Sequence, residues 1–216
     1  MTTVASPRSR ILPLLGRGRH ARPELGACLM EYVSVLAGEQ FSDAPRSTHP
    51  ALAELARQVN DRIVGDAARS RLARLAPDLI GTSDPRVTET VISTCLVAAK
   101  ASADLPGAAN RRLARAQLRL AHGRRPGRLR RWRYRLRDAC SPPAVDEVNW
   151  AFRLLYDRWR QRPQPERDRD LHRLLAVAVE DSRRLGTPRT PTAAPSALPA
   201  PGQAEGATTA GGLRAH

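Results

Sequence analysis

Apolar side chains in this chain recur at three- and four-residue intervals between proline and glycine breaks, a spacing that fits helices and leaves little room for strands. Leu25, Cys28, Leu29, Tyr32 and Leu36 predict a first helix over residues 22–37. Pro23 suits its first turn, and Gly38 suits a left-handed cap. Leu52, Leu55, Val59 and Ile63 predict a second helix over 50–64. Gly65 breaks it, and Asp66 is placed to cap a third, ending near residue 76. Asp84-Pro85 opens a fourth over 85–103, with Val87, Val91, Cys95 and Ala98 on one face and Ile92, Leu96 and Ala99 beside them. A fifth covers 108–122, and Gly123 to Gly127 reads as a turn. Residues 128–140 are ambiguous: Leu129, Trp132 and Leu136 have helical spacing, but Trp132, Tyr134 and Leu136 also alternate with arginine as a strand would. In an otherwise helical chain we take helix. Val145, Val148, Phe152, Leu155 and Trp159 repeat at 3, 4, 3, 4, and a last helix is expected over 166–185.

The fold expected is therefore all-α: one multi-helix, bundle-like domain of about seven or eight helices with disordered termini. Its parts are a flexible basic N-terminus (1–20), a helical domain (21–186) and a disordered Pro/Ala/Gly/Thr tail (187–216). Aromatic residues make up only 4% of the chain, so Leu, Val and Ala must build the core. No apolar run approaches the ~20 residues of a membrane span. The run at 11–15 holds Pro13 and is too short for a signal-peptide core. Cys28, Cys95 and Cys140 show no CxxC spacing, and three thiols make no disulfide framework, which fits a reduced, cytoplasmic compartment.

Charge is distributed unevenly. Residues 1–107 carry net +2 and residues 138–216 net +1, whereas the segment between them supplies +12 of the total +15. No acidic residue stands between Asp104 and Asp138, but twelve arginines do: Arg111, Arg112, Arg115, Arg119, Arg124, Arg125, Arg128, Arg130, Arg131, Arg133, Arg135 and Arg137. Arginine presents a planar fork of donors matched to phosphate oxygens, and Trp132 and Tyr134 among them suit stacking on bases or on guanidinium planes. Helix, short turn, helix over 108–140 has the outline of a helix-turn-helix. These features predict contact with nucleic acid or an acidic protein. The competing readings are an arginine-covered outer face with tips in water and association with a membrane surface. Arginine is heavily used throughout, since Lys100 is the only lysine, and this bias points to a GC-rich bacterial genome.

A second region offers different chemistry. Glu31, Asp43 and His49, if they converge, would make an open divalent-metal site. Each also has a plain structural role: Asp43 before Pro45 as a turn residue, His49 before Pro50 as a helix-start residue, and Glu31 as a rim charge pairing with an arginine such as Arg57. His20, His122 and His172 stand among arginines and read as solvated. No Ser or Cys shows a recognisable catalytic arrangement, and no phosphate loop is present. No cofactor is expected, nothing points to a homo-oligomer, and the 145–159 helix is an alternative surface for a protein partner.

The stretch Met30-Glu31-Tyr32-Val33-Ser34-Val35-Leu36-Ala37-Gly38-Glu39-Gln40-Phe41-Ser42-Asp43-Ala44-Pro45, continued by a Pro-led helix ending near Asn60-Asp61, resembles an uncharacterised group of small helical actinobacterial proteins. They carry a similar M-E-x-x-S-x-x-A-G-E-x-x-S-D-x-P signature. The resemblance covers about residues 26–82 and implies a helical fold but no activity. Similar sequences often have Cys where this chain has Ser47, which argues against a thiol or thiolate-metal role here.

Overall fold

A computed structural model describes residues 12–122 and 142–186. Its helices, in chain order, are α1 (Leu29–Leu36), α2 (Pro50–Arg62), α3 (Asp66–Ser70), α4 (Ala76–Leu79), α5 (Val87–Ser102), α6 (Gly107–Ala121), α7 (Pro142–Trp159) and α8 (Gln164–Gly186). Short 3₁₀ turns stand at Pro23–Leu25 and Arg71–Leu75. Among the described residues there is no strand, only isolated bridges pairing Leu15 with Ala27 and Thr48 with Thr82. The all-α class expected from apolar spacing is the class observed.

Helix α5 is the centre. It packs against α7, α6, α8 and α2, while α2 also meets α7, α8 and α1. A helix with that many neighbours must be apolar around much of its circumference. Accordingly Val87, Val91, Ile92, Cys95, Leu96 and Ala99 are all fully buried. On α7, Val148, Ala151, Phe152 and Leu155 are fully buried and Trp159 nearly so. The 3, 4, 3, 4 stripe is therefore core, which corrects the reading of this helix as a free interaction surface. The Phe152 and Tyr156 rings stack at 5.9 Å, and the Arg62 guanidinium lies 5.0 Å from each ring centroid. Trp159 donates its indole N–H to Ser102 Oγ at 3.0 Å, tying the end of α7 to the end of α5.

Two expected starts are corrected. The first helix does not run from 22 to 37. A 3₁₀ turn occupies Pro23–Leu25, Gly26 breaks it at φ 111°, and α1 begins only after Cys28. Cys28 wins the cap position because its Sγ accepts from the Glu31 N–H while the Glu31 carboxylate accepts from the Cys28 N–H, a reciprocal capping box. As a result Leu25 leaves the apolar face and is 70% exposed. Asp66 likewise does not cap α3. Gly65 holds the cap position, and the Asp66 carboxylate pairs with Arg69 at 2.7 Å.

The backbone leading into α3 is instead held from α8. Asp168, nearly buried, accepts from the backbone N–H groups of Val64 at 3.2 Å and Gly65 at 3.0 Å. Two donors would be orphaned without it, so Asp168→Ala is expected to cost about 2 kcal/mol in urea unfolding. A change under about 0.5 kcal/mol would mean that water replaces the carboxylate fully.

Cys28 and Cys95 are free and buried, as expected. Burial pushes the Cys95 thiol from the usual 9.0 up to about 12, and burial is also the main reason that Cys28 stands at about 12. Both values lie above that of an unfolded thiol, so the stability they contribute is complete below about pH 9 and is lost as pH rises toward 12. Urea midpoints should therefore fall on alkaline titration above about pH 9. At neutral pH no more than one of the three thiols should react quickly with a thiol reagent before unfolding. Rapid reaction of two in the folded protein would contradict this burial.

Candidate functional site

Helix α6 carries the first part of the arginine segment. Ala109, Leu113 and Ala116 are buried, and Arg111, Arg115 and Arg119 are exposed. Arg112 lies at the seam between these faces, with its side chain only 11% exposed. It donates to Glu89 of α5 at 2.7 Å and to Glu147 of α7 through Nε at 3.1 Å and Nη2 at 2.6 Å. Burial opposes the Arg112 charge, but the hydrogen bonds to Glu147 and Glu89 outweigh it and hold the guanidinium pKa above its ordinary value. Arg119 reaches the other oxygen of Glu89. The segment is free of acids along the chain, but in space α5 and α7 bring two carboxylates to it. Arg111 and Arg115 have no acidic partner among the described residues. Arg124, Arg125, Arg128, Arg130, Arg131, Trp132, Arg133, Tyr134, Arg135 and Arg137 lie outside the described residues, as does the choice of helix or strand for 129–137.

The Glu31, Asp43 and His49 region is built differently from the expected metal site. Among the described residues no group of three His, Cys, Asp or Glu is placed to hold a metal ion. Glu31 and His49 act in helix caps, and the Asp43 side chain faces an arginine. Glu31, 1% exposed, accepts from the His20 N–H at 2.8 Å and the Cys28 N–H at 2.7 Å, and its Oε2 lies 3.1 Å from His20 Nδ1. His49 Nδ1 accepts from Ala51 N at 3.2 Å and caps α2. Asp43 faces Arg19 at 3.8 Å, and its carbonyl accepts from Arg57 at 2.6 Å. Arg57 pairs with Glu54, not with Glu31. The convergence on a metal is therefore corrected, because capping holds Glu31 and His49 while Asp43 turns to Arg19.

His20 is the residue that sequence reasoning misplaced. Its ring is part-buried against Glu31, and a Cβ at Gly16 would come within 2.7 Å of its Nε2. With it, residues 12–20 form a strap along the domain. Arg17 donates to the Asp61 carbonyl at 3.0 and 2.6 Å, Gly18 N–H to the Asp61 carboxylate at 2.9 Å, and Asn60 to the Gly16 carbonyl at 2.9 Å. The signal was present as Cys28-x-x-Glu31, a capping box with cysteine in the place usually held by Ser or Thr. His172 is also not solvated. Burial lowers its pKa, and Arg71 and Arg74 stand close by.

Comparison with protein-family models, with curated proteins and with solved structures found no match.

Proposed function

We propose that this is a non-enzymatic binding or regulatory protein that contacts a polyanion, the phosphate backbone of nucleic acid, through its arginine-rich 111–137 segment. The observation that carries the reading is a run of thirty-three residues with twelve arginines and no Asp or Glu. A dense patch of one sign draws the opposite sign. The structure of α6 divides the labour. Arg112 and Arg119 engage Glu89 and Glu147 and hold the helix to its neighbours, while Arg111 and Arg115 face water. Phosphate contact on α6 thus falls to Arg111 and Arg115. In the 124–137 stretch it falls to the remaining arginines, with Trp132 and Tyr134 as stacking groups. The reading needs no cofactor and suits a cytoplasmic protein.

The test is a gel shift at low salt with duplex DNA of unrelated sequences. Wild-type protein should shift them alike. Arg111→Ala with Arg115→Ala, and separately Arg131→Ala with Arg133→Ala and Arg135→Ala, should bind more weakly. The melting temperature of the first variant should be unchanged, because neither side chain is buried. No shift at low salt would remove the nucleic-acid form of the proposal and leave an acidic protein as the partner to seek.

A further inference from the structure

Burial in this fold is thorough, so its exceptions carry information. Leu14 is 86% exposed, Leu25 70% and Leu12 41%. These side chains do not scatter: with Val35 and Phe41 they line one cavity of about 730 Å³. Nor do they sit on loose backbone. The Leu14 carbonyl accepts from Ala27 N at 2.9 Å, Gly16 N donates to the Ala27 carbonyl at 2.8 Å, and Leu25 closes a 3₁₀ turn onto Arg22. A pre-formed apolar cavity within the range of about 300–1,000 Å³ has the dimensions of a small-molecule site.

Charge narrows what it can hold. The charged residues in its wall are Glu24 and Glu39, and no arginine is among them. Arg17 is drawn away to the Asp61 carbonyl and Arg19 toward Asp43. Glu39 is half-buried and fixed, accepting from the Arg46 N–H at 2.7 Å and the Ser47 N–H at 2.9 Å. Hydrogen bonds, foremost from Ser47, hold its pKa below the ordinary carboxylate value, so it stays ionised. The two backbone donors are neutral, and the Arg46 side chain is exposed and outside the cavity wall. Among the described residues neither glutamate forms an ion pair. An anion would be repelled here. An uncharged apolar body would strip water from the Glu39 carboxylate and return nothing. A second copy applying the same face would bring two more carboxylates. The occupant that satisfies both wall and charge is an apolar body with a positive group.

We infer that this cavity binds a small organic cation, its apolar body seated among Leu12, Leu14, Leu25, Val35 and Phe41 and its protonated amine at Glu39 and Glu24. Apolar area and opposite charge then act together, the amine giving Glu39 what the displaced water gave it. The site selects the opposite sign of charge from the arginine segment, so it is independent of the nucleic-acid proposal.

The test is a ligand-detected NMR titration of the full chain with three probes that share one body: phenylbutylamine, phenylbutanol and phenylbutyrate. The amine should bind at least about tenfold more tightly than the alcohol, and the carboxylate more weakly than either. Glu24→Gln, at an exposed position, should lower the preference for the amine about threefold with melting unchanged. Glu24→Gln with Glu39→Gln should bring the amine within about twofold of the alcohol. Leu14→Ser with Leu25→Ser should weaken amine and alcohol alike, at least about fivefold, with melting unchanged because both side chains are already in water. No detectable amine binding, or an alcohol or carboxylate that binds as tightly as the amine, overturns the inference. So does full preference for the amine in both glutamate variants. A leucine variant that binds the amine like wild type overturns it too, since the contact would then be a surface ion pair alone.

Discussion

Glu31→Ala should destabilise the protein by about 3 kcal/mol and free the strap in the same step. The estimate is built from the bonds that disappear. The Cys28 N–H loses its acceptor inside the domain, which is half of the α1 capping box, and the His20 N–H loses its own at the edge. An orphaned buried donor costs about 1–3 kcal/mol. The strap is the sharper reporter. With its Glu31 anchor gone, residues 12–20 keep their bonds to Asn60, Asp61 and Ala27, all of them made by residues 14–18. Tryptic cleavage at Arg17 and Arg19 should then proceed well before global unfolding. Melting within about 0.5 kcal/mol of wild type, together with an unchanged tryptic pattern, would show that water takes over the carboxylate's role.

The other large effect is in salt dependence. If the arginine segment neutralises about six phosphates, affinity for duplex DNA should fall roughly 10³-fold between 50 and 200 mM salt. Each contact removed lowers the slope of log K against log salt by about 0.9, so Arg111→Ala with Arg115→Ala should lower it by about 2. Arg112→Ala makes the useful contrast. That side chain is committed to Glu89 and Glu147. Its loss should therefore cost about 1–2 kcal/mol of stability, discounted for the half-exposed Glu147, with little change in slope. A slope equally sensitive to Arg112 and to the Arg111–Arg115 pair would mean that the ion pairs open on binding.

Periodicity made most of the helical domain legible. The buried faces of α2, α5 and α7 are the residues their spacing picked out, because a helix's core-facing side is written into positions three and four apart. What escaped were contacts that depend on distance in sequence. Glu89 and Glu147 flank the arginine helix only after α5 and α7 have packed. Asp168 holds the backbone N–H of Gly65, 103 residues before it in the chain. The break at Gly26 was missed for a different reason: Leu25 fits the apolar period of α1, but local capping at Cys28 outcompeted periodicity. For the same reason Glu31, Asp43 and His49 looked like ligands. Acids and histidines suit both metals and helix starts, and only geometry tells the two uses apart.

The clasp between Asp168 and the Val64–Gly65 backbone has a consequence for the order in which the chain is made. The apolar faces of α2 and α5 meet much of their partner surface in α7 and α8, which are made after them. Until they emerge, a nascent chain that already contains α1 to α6 holds apolar faces of α2 and α5 not yet covered, followed by a strongly cationic stretch. Its core closes only once α7 and α8 have emerged, and the nascent chain passes through a stage suited to chaperone capture.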